Sequence, residues 1–303
     1  MRRHWIIAAI CLAVALGAVW LWWAMPPASV RRLPPGQTLV YLRLKPVRKL
    51  WALRPAPPPA TEYATFVRES GFDYQRDLDS IALSMNGNPL RPRDATAIFS
   101  GRFGPKFTLY LQRHALARTR VAGVQAYRFA GWARPQQKLT VARLGARELL
   151  ITNAADAAPI VAHARAWWTP APGRWRAGND WRLLLGYCDV NAERLEAQRA
   201  LDGSQPPWQG IESLELRLSA GSSGLKLSGR AQTANAEQAQ AAQAWLKAQI
   251  QELRPLLQDQ TGDAGLGALL DRLESGVAGD QAWVRLQIDP AMLAQWSQVI
   301  AHR

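Results

Sequence analysis

Leu78-Asp79-Ser80-Ile81-Ala82-Leu83-Ser84-Met85 and Ile211-Glu212-Ser213-Leu214-Glu215-Leu216-Arg217-Leu218 are the two stretches that decide the fold. Both read apolar, acidic, Ser, then apolar at alternate positions, which is the period of a half-buried β-strand. Each is followed by a Gly-containing turn, Asn86-Gly87-Asn88-Pro89 in one and Ala220-Gly221-Ser222-Ser223-Gly224 in the other. Each turn leads to a second strand ending in Ser-Gly-Arg, at Ser100-Gly101-Arg102 and Ser228-Gly229-Arg230. The pattern is a β-hairpin occurring twice.

The surroundings of the hairpins match as well. An apolar strand precedes each, at residues 39–44 and 183–188, and a helical stretch follows each, at residues 107–116 and 234–252. In the second stretch Ala239, Ala242, Leu246, Ile250 and Leu253 recur at three- and four-residue spacing, with Asn235 placed as a cap and Pro255 beyond the expected end. A strand and a helix then close each copy, at 148–152 with 155–168 and at 283–288 with 290–301. Pro290 suits the first turn of a helix, where its missing N–H costs nothing. The first copy adds a meander in which Tyr127 and Phe129 alternate before strands at 139–144 and 148–152. The expected fold class is α+β: an N-terminal transmembrane helix, then two tandem repeats, each an antiparallel sheet with helices on one face. The expected segments are a basic flank at 1–4, an anchor at 5–24, a Pro-containing tether at 25–36, repeats at 37–168 and 180–303, and a junction at 169–179.

The anchor is read from WIIAAICLAVALGAVWLWWA at residues 5–24, directly behind Met1-Arg2-Arg3-His4. A helix of that length spans roughly 30 Å, the thickness of a bilayer's hydrocarbon core. A cleaved signal needs small residues before its cut site, but Trp22 stands two places before Ala24 and Pro26 two places before Ala28. The expectation is a single-pass signal-anchor in the bacterial inner membrane, contacting the bilayer through Trp5–Ala24, with the bulk of the chain periplasmic. Arg2 and Arg3 on one side are nearly balanced by Arg31, Arg32 and Arg43 on the other. The reversed topology would open nucleic acid as a partner for the Arg and Trp residues.

The net charge of +14 is unevenly distributed. Residues 25–170 hold 22 Lys and Arg against 8 Asp and Glu, whereas residues 171–303 hold 13 against 15. A basic first half suits anionic polymer or lipid. Cys11 and Cys188 are the two cysteines, too far apart in kind to make a structural bridge if Cys11 lies in a membrane.

No pattern specifies a reaction, and the reading leans away from an enzyme. His4, His114, His163 and His302 lack metal-ligand spacing. Gly101-Arg102-Phe103-Gly104-Pro105-Lys106 has the wrong glycine spacing for a phosphate loop, and Pro105 has no amide to donate. Asp73, Asp77 and Asp79 are the tightest carboxylate group and mark the alternative of an unrecognised enzymatic site; turn capping and ion pairing are the favoured reading of them. No cofactor is expected. The candidate interaction or inter-lobe surface is Arg31, Arg32, Trp167, Trp168, Arg174, Trp175 and Trp181, since Trp with interleaved Arg stacks on sugars or wedges two lobes together. The expected function is binding or scaffolding of another envelope protein, with the anionic-polymer or lipid binder as the alternative.

Overall fold

In the computed structural model, residues 25–47, 62–88, 91–130, 138–166, 181, 184–191, 210–221, 224–261 and 271–291 are described. Their strands form one antiparallel sheet of twelve, not two separate sheets. The strands are β1 (Thr38–Arg43), β2 (Leu78–Asn88), β3 (Arg91–Gly101), β4 (Ala117–Val121), β5 (Val124–Ala130), β6 (Lys138–Arg143) and β7 (Glu148–Thr152), then β8 (Leu184–Asn191), β9 (Ile211–Gly221), β10 (Gly224–Thr233), β11 (Glu274–Ala278) and β12 (Gln281–Ile288). Their order across the sheet is β11-β12-β10-β9-β8-β1-β2-β3-β7-β6-β5-β4. Read outward from the β8–β1 pair, each side runs through its two-strand hairpin and then reverses order. The two matched sequence stretches are β2 and β9, the second strand out on either side.

The expected α+β class is therefore corrected. Among the described residues the protein is mostly antiparallel sheet, with few helices: α1 (Ala28–Arg31), α2 (Glu62–Ser70), α3 (Tyr74–Asp77), α4 (Pro105–His114), α5 (Ala158–Arg165) and α6 (Ala236–Thr261), besides one 3-10 turn. The physical reason is the pairing of β1 with β8, where Tyr41 meets Tyr187 and Val40 meets Cys188. An exposed strand edge is a row of unpaired N–H and C=O groups. Joining the leading strand of each half removes two such edges at once.

Among the described residues, no helix is long and apolar enough to cross a membrane. This overturns the transmembrane and signal-anchor expectation for the fold as described, and residues 5–24 themselves lie outside the described residues. The stretch read as a tether is packed at its C-terminal end. Val30 and Leu33 are fully buried, Ser84 Oγ donates to the Pro34 carbonyl at 2.9 Å, and His163 Nε2 lies 3.1 Å from the Leu33 carbonyl. A single pair of apolar residues three apart, Val30 and Leu33, is too little to announce a helix from sequence. The helix expected to stop before Pro255 runs on to Thr261. A proline's fixed φ is compatible with a helix, but inside one it removes a donor and crowds the carbonyl four residues back, at a cost of about 3 kcal/mol that the rest of the helix offsets. Of the helix expected at 290–301, only its first two residues are described.

Side chains alternate between the two faces of the sheet. In the first half both faces are covered. One face, here the α5 face, buries Leu39, Tyr41, Ala82, Ile98 and Leu150 under Val30, Leu33, Val161 and Ala164. The other, the α6 face, buries Leu78, Tyr127, Val141 and Leu149 under an aromatic group from α4 and the loops beside it. Phe72, Phe103 and Phe107 lie with ring centres 5.1–5.3 Å apart, a spacing suited to offset or tilted ring contacts. Arg143 fastens α4 to the sheet by donating to Thr108 Oγ1 and, at 3.1 Å, to the Phe103 carbonyl.

The second half differs. Its α6 face is apolar, with Leu225, Leu227 and Ala231 of β10 beside Ala282, Leu286 and Ile288 of β12, and Ala242 of α6 packs on it. Its α5 face carries Lys226, Ser228, Arg230 and Gln232 of β10 beside Gln281, Trp283, Arg285 and Gln287 of β12. Strict polar-apolar alternation of this kind suits an antiparallel sheet wetted on one side.

The β4–β5 hairpin closes through Ala122 and Gly123, with Val121 opposite Val124. Both turn residues have positive φ, 47° and 77°. That is the two-residue turn that matches strand twist, and it favours Asn-Gly over Ala-Gly. Placing Ala122 there costs about 1 kcal/mol. Ala122→Asn is expected to stabilise the protein by about 0.5–1 kcal/mol, and to raise the thermal midpoint by about 1–3 °C in a calorimetric scan.

Candidate functional site

Of the residues singled out from the sequence as an interaction or inter-lobe surface, Arg31, Arg32 and Trp181 are among the described residues. Trp181 is buried at 2% exposure against the two central strands, with its ring centre 5.7 Å from that of Tyr41 on β1 and 5.1 Å from that of Tyr187 on β8. Arg32 forms an ion pair with Glu148 at the start of β7. Arg31 neighbours it on the packed N-terminal segment, and its like charge and burial lower the Arg32 pKa, burial being the larger cause. Trp167, Trp168, Arg174 and Trp175 lie outside the described residues.

The three aspartates are each engaged locally. Asp73 caps α3 by accepting from the Gln75 amide at 2.9 Å, and it accepts from Tyr63 Oη at 2.6 Å. Burial and that aspartate push the Tyr63 phenol up. Asp79 pairs with Arg147 at 2.7 Å. Asp77 is buried; it accepts from Arg76 at 3.1 Å and from the Asp73 amide at 3.0 Å, and it forms an ion pair with Arg102 at 3.1 Å. Burial alone would raise the Asp77 carboxyl. The hydrogen bonds from Arg76 and the Asp73 amide, with the charges of Arg76 and Arg102, outweigh it and hold the group below its ordinary value of 3.8. His114 meets Glu69 at 3.3 Å and stacks near Tyr110. Among the described residues no three His, Cys, Asp or Glu side chains gather closely enough to hold a metal ion. The Cys188 thiol is pushed up by burial and by Asp189, which makes it a poor nucleophile.

Two clefts stand out instead, both on the α5 face. The first holds about 740 Å³ and lies between β4–β6 and the N-terminal end of α5. Arg128 on β5 sits directly opposite Thr140 on β6, and Lys138 on β6 opposite Ala130. Arg128, Lys138, Thr119 and Thr140 therefore share this face; Arg120, opposite Gln125 in the register, alternates to the other face and only borders the cleft from the edge strand β4. Arg120, Arg128 and Lys138 are exposed, and among the described residues none of their side chains makes an ion pair or hydrogen bond. Asp94 and Asp156 also line the cleft, and Asp156 Oδ1 accepts from the Ala158 amide at 2.9 Å. The strained Ala122 sits on its rim.

The second cleft holds about 600 Å³ on the polar side of the second half. It is lined by Lys226, Arg272, Arg285 and Gln287 with Asp271, Glu274 and Asp289. Arg272 pairs with Asp289 at 2.9 Å. The Arg285 guanidinium lies 5.0 Å from the centre of the Trp283 ring. That ring leans over Gly276, where a Cβ would come within 2.4 Å of Trp283 Cζ2.

Sequence reasoning missed both clefts. Period-2 alternation in Gly224–Thr233 and Gln281–Ile288 marks two wetted faces, but nothing local says that they adjoin. The Arg and Lys of the first cleft are separated by a turn and a further connection, and only strand pairing brings them together.

No family model matches the chain, and no curated protein matches it. Among solved structures, crystal form I of the Treponema protein TP0453 is similar at 12% identity and TM-score 0.48, over 92% of this chain and 98% of that one. Crystal form III of TP0453 is similar at 11% identity and TM-score 0.48, over 92% of this chain and all of that one.

Two outcomes follow from these contacts. A carboxylate held below its ordinary value contributes stability above that value and loses it as pH falls. Urea midpoints should therefore drop as pH is lowered through about 4. Asp77→Asn should remove part of that drop while costing about 1–3 kcal/mol at neutral pH. Gly276→Ala removes backbone freedom, which by itself stabilises a strand by roughly 0.5–1 kcal/mol. Because the indole occupies that space, the substitution should destabilise the wild-type chain yet stabilise the Trp283→Ala chain, a sign reversal read by a double-mutant cycle.

Proposed function

We propose that this chain is a non-enzymatic binding protein for an anionic polymer, held through the cleft beside Arg128 and Lys138. The observation that carries the reading is that two exposed cations, Arg128 and Lys138, stand together on one face of the cavity, and among the described residues neither is in an ion pair, although Asp94 and Asp156 also line it. Cations arranged this way raise the local concentration of an anionic chain and leave their donors available to it. Among the partners read from sequence, a lipid surface fits less well. The apolar lining of the cleft is Val121 and several alanines, with no large aromatic or aliphatic side chain to enter a bilayer interface. Docking of a folded protein also fits less well, since such interfaces centre on buried aromatic anchors. The carboxylates Asp73, Asp77 and Asp79 are engaged in capping and ion pairing, which supports the binding reading over the enzymatic alternative.

The test is binding of the full-length chain to immobilised polygalacturonate between 20 and 300 mM salt. Binding should weaken steadily with salt, as exposed charges are screened over about 8–10 Å near physiological ionic strength. The Arg128→Gln/Lys138→Gln variant should bind about tenfold more weakly, from two exposed charge contacts of about 0.5–1 kcal/mol each. Arg113→Gln, an exposed arginine on α4 over the opposite face, should change binding less than twofold. Equal loss with Arg113→Gln, or binding that ignores salt, would remove the proposal.

A further inference from the structure

The second cleft resolves a difference between the halves that the fold leaves unexplained. In the first half, β3 and β7 place Ile98 and Leu150 on the α5 face, and Val161 and Ala164 cover them. In the second half, β10 and β12 occupy the matching places outward from the centre, but put Lys226, Arg230, Arg285 and Gln287 there, all exposed. The same strand frame thus carries a packed face on one side and a wetted, charged face on the other.

The charged face has internal order. Glu274 lies directly across from Arg285 in the strand register, the position where opposite charges ordinarily pair. No ion pair forms between them. The Arg285 guanidinium lies by the Trp283 indole instead, and the indole is seated over Gly276. An arginine held against an aromatic ring keeps its planar fork of donors available and loses less freedom when it binds a carboxylate or phosphate. Lys226 lies on the neighbouring strand, diagonal to Arg285, and among the described residues its ammonium has no acidic partner.

We propose that Lys226 and Arg285 form a second anion subsite, so that one chain engages a carboxylated glycan at two places. This rests on the reading of the first cleft as a polymer site. The choice of a carboxylated glycan over a phosphate polymer follows from what accompanies the cations. Each cleft also carries acids and amide or hydroxyl groups, Asp94, Asp156 and Thr140 in the first and Glu274 and Gln287 in the second. Carboxylates repel a densely charged phosphate chain but accept hydrogen bonds from sugar hydroxyls. Two weak subsites on one protein raise the affinity for a long chain far more than for a short one, because the second contact is made at high effective concentration.

The experiment compares trigalacturonate with long polygalacturonate on the full-length chain by calorimetry, with long-chain polyphosphate as the contrasting probe. The wild type should bind two trigalacturonates. Lys226→Gln/Arg285→Gln should bind one, and its affinity for the long polymer should fall about tenfold. Arg128→Gln/Lys138→Gln should likewise retain one, and the fourfold variant none. Thermal midpoints of the variants check that the fold is kept. If the wild type binds a single trimer and Lys226→Gln/Arg285→Gln leaves long-polymer affinity unchanged, the second subsite is overturned while the first cleft stands. If the wild type binds neither trimer nor polymer, both readings fall. Tighter binding of polyphosphate than of polygalacturonate overturns the assignment of ligand class.

Discussion

The antiparallel pairing of β1 with β8 is the constraint on which the rest of the structure depends. Each of these strands begins one half of the chain, and each would be an exposed edge if its half stood alone. Paired, they become the centre of a single twelve-stranded sheet. Trp181 lies over the seam against Tyr41 and Tyr187, so the joint is held by ladder hydrogen bonds and by buried aromatic area together. Aromatic contacts of this kind add about 0.5–1.5 kcal/mol beyond burial itself. The remaining edges among the described strands are short, β4 and β11, and β4 carries Arg118 and Arg120, charges that discourage pairing with another chain.

Because the two halves share one sheet, they also share its faces. The α6 face is apolar in both halves and takes helices in both. The α5 face is apolar in the first half and charged in the second. A packed face is committed to its covering helices, and its residues are spent on exclusion of water. A wetted face is free of that demand. The clefts lie where cover ends, one at the margin of α5 and one on the uncovered strands.

Much of the strand pattern was legible. The alternation in Leu78–Asn88, Ile211–Gly221 and Gln281–Ile288 marks strands on its own, because a period of two has no other structural meaning at that length. Helix α6 was legible from its spacing of Ala and Leu. Less was visible of α1, where a short segment rich in Pro and Arg reads as a tether. Its burial depends on Leu33 and Val30 meeting residues far along the chain, which no local pattern records. The carboxylate group was visible as a cluster with Arg76 beside it, but its role was decided as much by Tyr63, Arg102 and Arg147 arriving from other elements.

By itself the sequence determined most of the strands, though not β4 or β11, and that the first half is strongly basic. These follow from side-chain chemistry and local periodicity. Tertiary structure alone decided that the two halves form one sheet, since either pairing the leading strands or keeping two sheets satisfies the same alternation. It alone decided which charges stand together, since Arg128 and Lys138 meet across a strand pair and Arg285 chooses an indole over a carboxylate. Both outcomes are set by register, and register is a property of the assembled sheet.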